Sequence, residues 1–184
     1  TSQYTDYIFY KNKKYPLYNN PMEPYFEENP EERPKNIYPT TALHRGYIAT
    51  FEIKNFKLML KDIEIQPIDL KRPNVVEWKS IKSQFVSSGN NLQISWFSGI
   101  LSLPFGEKVK ERTTFGYDHI YSLYYLVEVA NGSVNRIKSF NLSELDLLKN
   151  KMFTKFSKTT EYSELLNNYL KYRKDKHKFD NGLQ

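Results

Sequence analysis

The stretch from Tyr47 to Ile65 alternates apolar and polar residues with a period of two, pauses, and resumes in reverse. Tyr47, Ala49, Phe51 and Ile53 share one side of a strand, and Ile48, Thr50 and Glu52 the other, as a half-buried strand requires. With Asn55-Phe56 as the turn, Ile53 faces Leu58 and Phe51 faces Leu60, giving a hairpin with one apolar face. Both central positions of the tightest hairpin turn need positive φ, which suits Phe56 badly, so the pattern predicts a loop longer than two residues.

Other segments follow the same logic. Tyr7 to Tyr18 reads as a hairpin around the polar run Lys11-Asn12-Lys13-Lys14, with Pro16 placing its second strand at a sheet edge. Prolines 21, 24, 30, 34 and 39 forbid a long helix between Asn19 and Pro39, where Tyr25 and Phe26 anchor a short turn. Val75, Trp78, Ile81, Lys82 and Phe85 recur at helical spacing and predict a helix over Asn74–Val86, stopped by Ser87-Ser88-Gly89. Leu92 to Leu103 reads as one strand with a bulge at Ser98-Gly99 and Trp96 in the core. Pro104-Phe105-Gly106 then turns the chain. Ile120 to Val129 reads as a strand buried on both faces, joined through Asn131-Gly132 to a return strand, Val134 to Phe140.

Asn141 and Glu144 fit a capping box that opens a helix with Leu145, Leu148, Met152 and Phe156 on its apolar stripe. Thr159-Thr160 opens a last helix striped by Tyr162, Leu165, Leu166, Tyr169 and Leu170. The elements together predict an α+β fold. A single domain is expected, with an antiparallel, twisted or barrel-like sheet of hairpins, one middle helix and two C-terminal helices. Residues 1–140 form its sheet-rich part, and 141–184 a helical extension packed on the same domain.

Composition narrows the function. At 184 residues the chain supports one full-sized core. Fifteen Tyr and twelve Phe suit a sheet-rich protein, although an AT-rich coding sequence gives the same bias. With no cysteine there is no disulfide framework, thiol nucleophile or cysteine metal site, and three histidines offer little for a metal centre. Apolar runs are strand-length and the N-terminus shows no signal-peptide pattern, so a cytoplasmic protein without cofactor, metal or membrane association is expected.

The formal charge of +6 is uneven. Residues 1–64 carry nine Lys/Arg against nine Asp/Glu, whereas 149–184 carry nine against four, a net +5. Lys171, Arg173, Lys174, Lys176 and Lys178 are therefore the candidate partner-binding set, suited to an acidic or mixed protein surface, with nucleic acid a further option. The commoner use of such a run is a solvated helix end that complements the macrodipole.

Candidate catalytic groups are few. Arg45-Gly46 resembles the Arg-Gly strand of ADP-ribosyltransferases, but neither the Ser-Thr-Ser-like strand nor the Gln/Glu-x-Glu pair of those enzymes follows it. His44, Asp118, His119 and Glu52 are the residue types that in-line RNA cleavage uses, without a spacing that joins them. The plainer reading makes Arg45 a structural cation paired with Asp62, Glu64 or Asp118. Phosphate-loop and nucleophile-elbow patterns are absent.

Two motifs carry a resemblance: Thr41-Ala42-Leu43-His44-Arg45-Gly46-Tyr47-Ile48-Ala49-Thr50-Phe51-Glu52-Ile53, and Trp96-Phe97-Ser98-Gly99-Ile100-Leu101-Ser102-Leu103-Pro104-Phe105-Gly106. With Tyr15 to Leu17, Pro21 to Phe26, Arg33-Pro34 and Phe115 to Tyr121, they resemble a family of bacterial proteins without an established activity. Members of that family commonly carry Trp at the place of His44 and Gly at the place of Phe56. A Trp cannot move protons, which counts against catalysis by His44. The favoured expectation is a non-enzymatic, specific protein-binding protein, in concrete form a bacterial immunity or antitoxin protein. The rival is a small hydrolytic or nucleic-acid-processing enzyme using Arg45, His119 and a carboxylate. An enzyme should gather polar groups in one concave pocket, a binder should show a broad face with exposed aromatics.

Overall fold

The computed structural model describes residues 2–87, 89–111, 119–171 and 179–181. It is an α+β protein built on a single open sheet of nine mostly antiparallel strands. In chain order these are β1 (Asp6–Tyr10), β2 (Lys13–Leu17), β3 (Ile48–Lys54), β4 (Lys57–Ile65), β5 (Lys79–Ser80), β6 (Leu92–Gln93), β7 (Gly99–Glu111), β8 (His119–Ala130) and β9 (Ser133–Asn141). The main path runs β2-β1-β3-β4-β9-β8-β7, with β5 and β6 as short additions on β4. Helices α1 (Glu23–Glu28), α2 (Leu142–Phe156) and α3 (Thr160–Leu170) complete the fold. The chain divides into two compact units, Thr1–Ser139 and Phe140–Gln184.

The central hairpin has the expected register, with Ile53 opposite Leu58 and Phe51 opposite Leu60. Its turn is shorter than predicted, because Asn55 and Phe56 both adopt positive φ, 49° and 54°. The apolar set of β4 changes phase, from Leu58 and Leu60 to Ile63 and Ile65. A bulge resolves this: Thr50 pairs with Asp62 while Phe51 pairs with Leu60, so Lys61 is the extra residue and all four apolar side chains are buried. The Asn131-Gly132 turn is also as expected, and a Cβ on Gly132 would lie 2.6 Å from the Ile94 carbonyl oxygen.

Three expectations are corrected. No α-helix occupies residues 74–86; Lys79 and Ser80 pair with Ile65 and Glu64 of β4, and a single 3-10 turn follows at Lys82–Gln84. The open edge of β4 satisfies this backbone, while the β-branched pair Val75-Val76 gives a helix little support. Leu92 to Leu103 is not one strand either. β6 ends at Gln93, a turn carries Trp96 half-buried between strands, and its indole donates to the Pro21 carbonyl (2.8 Å). Pro104-Phe105-Gly106 does not turn the chain, since β7 runs straight through it. β7 is last in the strand order, where a proline without an N–H is tolerated, and register shifts beside Gly106 absorb the irregularity.

The pattern of hairpins also concealed a parallel pair, in which Tyr7 of β1 lies beside Thr50 of β3. The sheet curls without closing. The segment that follows β2 is tied to β7, where the Tyr18 amide donates to the Ser102 carbonyl (3.0 Å) and the Ser102 amide donates to the Asn19 side chain (2.7 Å). Inside the curl lies one core, including Ile8, Leu17, Phe26, Tyr47, Phe51, Leu60 and Leu101.

In the second unit, the capping box of α2 is present, with Asn141 and Glu144 bonded reciprocally. Tyr162 is its buried centre, packed against Phe153, Phe156 and Phe179. Met152, Leu165 and Leu170 are exposed, so the predicted stripes are only partly covered.

Candidate functional site

Asp6 opens β1 with a charge in an otherwise apolar strand and is completely buried. Its Oδ1 accepts from Arg45 Nη2 (2.9 Å) and from the Ala49 amide (2.8 Å). Arg45 is the partner because Gly46, at φ +84°, turns the chain into β3. A side chain at Gly46 would strike Ile37, its Cβ only 2.6 Å from Ile37 Cδ1. The Arg45 side chain keeps 8% of its surface, donates through Nη1 to the Tyr4 carbonyl (2.8 Å) and stacks its guanidinium over Tyr47.

Arg45 is thus the structural cation expected, but its partner is Asp6 and not Asp62 or Glu64. Asp62 instead accepts from Ser80 (2.6 Å) on the short β5 edge. The third expected partner, Asp118, lies outside the described residues. Sequence reading missed Asp6 because the parallel β1–β3 pairing brings together residues far apart in the chain. The available signal was an acid within D-Y-I-F-Y, where a buried charge demands a cation.

The pair continues into a chain of polar contacts. Tyr47 donates to Glu23 Oε1 (2.7 Å), and Arg33 donates to both Glu23 oxygens (3.2 and 2.8 Å). Burial raises the Asp6 pKa to about 6, even against the opposing pull of Arg45. Burial also pushes Glu23 up, but the Arg33 and Tyr47 hydrogen bonds outweigh it and hold the carboxyl below its ordinary value. Two cations and two carboxylates neutralise one another here, so the network holds loops in place and offers no free acid–base pair. Asp6 Oδ2 and Arg45 Nε are buried and make no hydrogen bond among the described residues.

The other predicted residues are not assembled around it. His44 is exposed, and its amide donates to the Gln3 side chain (3.2 Å). His119 begins β8 opposite Glu111, with its carbonyl accepting from Tyr18 (2.9 Å) and its Nδ1 buried without a partner. Among the described residues, no hydrogen bond, ion pair or ring contact joins it to His44 or Arg45. Glu52 lies mid-strand in β3 opposite Met59. A shallow cavity of about 510 Å³ beside His44 and Arg45 is walled by Arg33, Tyr38, Thr41 and Leu43 and, among the described residues, by no carboxylate. No group of three or more His, Cys, Asp or Glu could hold a metal ion among the described residues. Of the basic set, Lys171 is exposed at the end of α3, 3.4 Å from the Asn168 side-chain oxygen. Arg173, Lys174, Lys176 and Lys178 lie outside the described residues.

A different surface gathers beside the clamp. The Tyr38 amide bonds to Gln66 and the Ile68 amide to Asn36, which fastens the segment after β4 alongside Asn36–Tyr38. Beyond this seam Ile68, Leu70, Val75, Val76 and Trp78 are exposed, as are Tyr4 and Tyr38. Tyr4 meets Trp78 edge to face, with ring centroids 6.2 Å apart. A groove of about 580 Å³ runs between Ile68, Leu70, Val75 and Trp78. Sequence reading placed Val75 and Trp78 at helical spacing in a helix over Asn74–Val86 and did not single them out as an exposed face. Comparison of the chain with known protein families, curated proteins and solved structures found no match. No helix among the described residues is long and apolar enough to cross a membrane.

Proposed function

We propose that this chain is a non-enzymatic, specific protein-binding protein, and that it docks through the face bearing Tyr4, Ile68, Leu70 and Trp78. The observation that carries the reading is the gathering of exposed Ile68, Leu70, Val75 and Trp78 along one groove of the first unit, with exposed Tyr4 packed against Trp78. Monomers seldom expose such residues together unless something covers them, and exposed Tyr and Trp are the usual anchors of protein interfaces. The polar groups nearby favour the same reading, since Arg45 and Arg33 are engaged by carboxylates instead of converging on an open site.

The concrete form is an immunity or antitoxin protein that masks a bacterial effector. A chain of formal charge +6 suits a partner with an acidic or mixed face better than a basic nuclease. The hydrolase alternative has no comparable support, because Arg45 and His119 share no contact and Arg45 is fixed on Asp6.

The test is capture of partners on immobilised wild type and on Trp78→Ala, followed by titration of any retained protein, expressed separately, against both. A saturable complex that weakens at least tenfold with Trp78→Ala is expected. Hydrolysis of a substrate by the purified wild type, lost on Arg45 or His119 substitution, would overturn the reading.

A further inference from the structure

The groove between Ile68 and Trp78 has a definite charge arrangement at its rim. Asp69 accepts from Arg72 Nε (2.9 Å), and the Arg72 Nη2 lies 3.8 Å from Glu77. Both carboxylates on the rim are therefore turned toward one arginine. Lys71 and Lys79 line the same groove, are exposed, and form no ion pair among the described residues. The rim thus sets three cations against two carboxylates, an excess of one positive charge, with Lys71 and Lys79 the cations left outside its ion pairs. The volume, about 580 Å³, falls within the range of pockets that enclose compact ligand groups. Leu70 keeps 90% of its surface and stands as a free lip, while Trp78 is braced by Tyr4, whose carbonyl Arg45 holds.

The clamp from Asp6 through Arg45 to Tyr4 gives the groove one preorganised wall, which lowers the ordering cost of binding. An apolar side chain would bury against Ile68, Val75 and Trp78, and carboxylates on its neighbours would meet Lys71 and Lys79. A second copy of this chain is a poor occupant. Among the described residues its most exposed aromatic, Phe56, sits between exposed Lys54 and Lys57 and would bring cations against cations.

Resting on the protein-binding reading, we infer that this groove is a subsite for one bulky apolar side chain of a partner protein segment that carries Asp or Glu on either side of it. The Lys71 and Lys79 contacts are solvent-exposed, so they set the approach and the salt dependence, and the apolar anchor sets the lifetime.

The probe is a displayed library of random twelve-residue peptides, selected on the full-length protein and then synthesised for titration. Enriched sequences are expected to combine an aromatic or long aliphatic residue with nearby Asp or Glu. Their affinity should fall at least tenfold with Leu70→Asp, at a position too exposed to affect folding, and with Trp78→Ala. Lys71→Glu/Lys79→Glu should weaken binding mainly at low salt. Enrichment of peptides without carboxylates, binding that ignores both apolar substitutions, or no enrichment at all would overturn the subsite. A whole partner protein that binds wild type and Leu70→Asp equally would also overturn the subsite while leaving the protein-binding reading intact. Failure of the wild type to retain any protein would count against that reading itself.

Discussion

Arg45 reaches back from the start of β3 to Asp6 at the start of β1, with 2.9 Å between Nη2 and Oδ1. The contact closes the parallel strand pair at the end where the exposed aromatic face begins. Removing the cation leaves a buried carboxylate unpaired, so Arg45→Met should cost about 3–5 kcal/mol at neutral pH. Asp6→Asn should cost less, and the double substitution should be less damaging than Arg45→Met alone. Chemical denaturation of the four proteins checks this; strict additivity would contradict the pairing.

The pH dependence has a definite sign. Asp6 titrates at about 6 in the folded chain against an ordinary 3.8, so between these values the folded state binds more protons than the unfolded state. Its ionisation therefore opposes folding as pH rises through that window, by up to about 3 kcal/mol. The stability of wild type relative to Asp6→Asn should decline between pH 4 and pH 7. A relative stability that instead rose with pH would show that Arg45 outweighs desolvation.

Phe56 holds φ at +54° while 78% of its surface is exposed, so packing does little to offset the strain. Phe56→Gly should raise the melting temperature, with a gain of about 1 kcal/mol. A lower melting temperature would mean that the ring makes a stabilising contact.

Gly132 is the opposite case. A methyl group there would meet the Ile94 backbone at 2.6 Å in a residue already at φ +75°. Gly132→Ala should destabilise the fold by about 3 kcal/mol, the upper end for a forced left-handed residue. Melting within a degree of wild type would show that the β8–β9 turn can shift away from Ile94.

The strands were legible where one face is buried, because alternation fixes both phase and register, as in Phe51 opposite Leu60. They were illegible where pairing partners are distant. Nothing in the Val75–Phe85 spacing says that Lys79 and Ser80 will complete the edge of β4. Trp78 satisfies a helical period by coincidence, and its exposure beside Tyr4 follows from the loop path, which periodicity does not encode. Arg45 was recognisable as a structural cation by residue type, but its partner depended on a parallel pairing that no local pattern announces. The candidate binding face was therefore invisible in a sequence from which the hairpins could be read.

Amide hydrogen exchange on the free protein and on its complex with a captured partner tests the binding face most directly. The account predicts slowed exchange at Ile68–Lys79 and at Tyr4, with little change at the Asn55-Phe56 turn. Protection confined to the basic segment from Lys171 to Lys178, with Ile68–Lys79 unchanged, would contradict it.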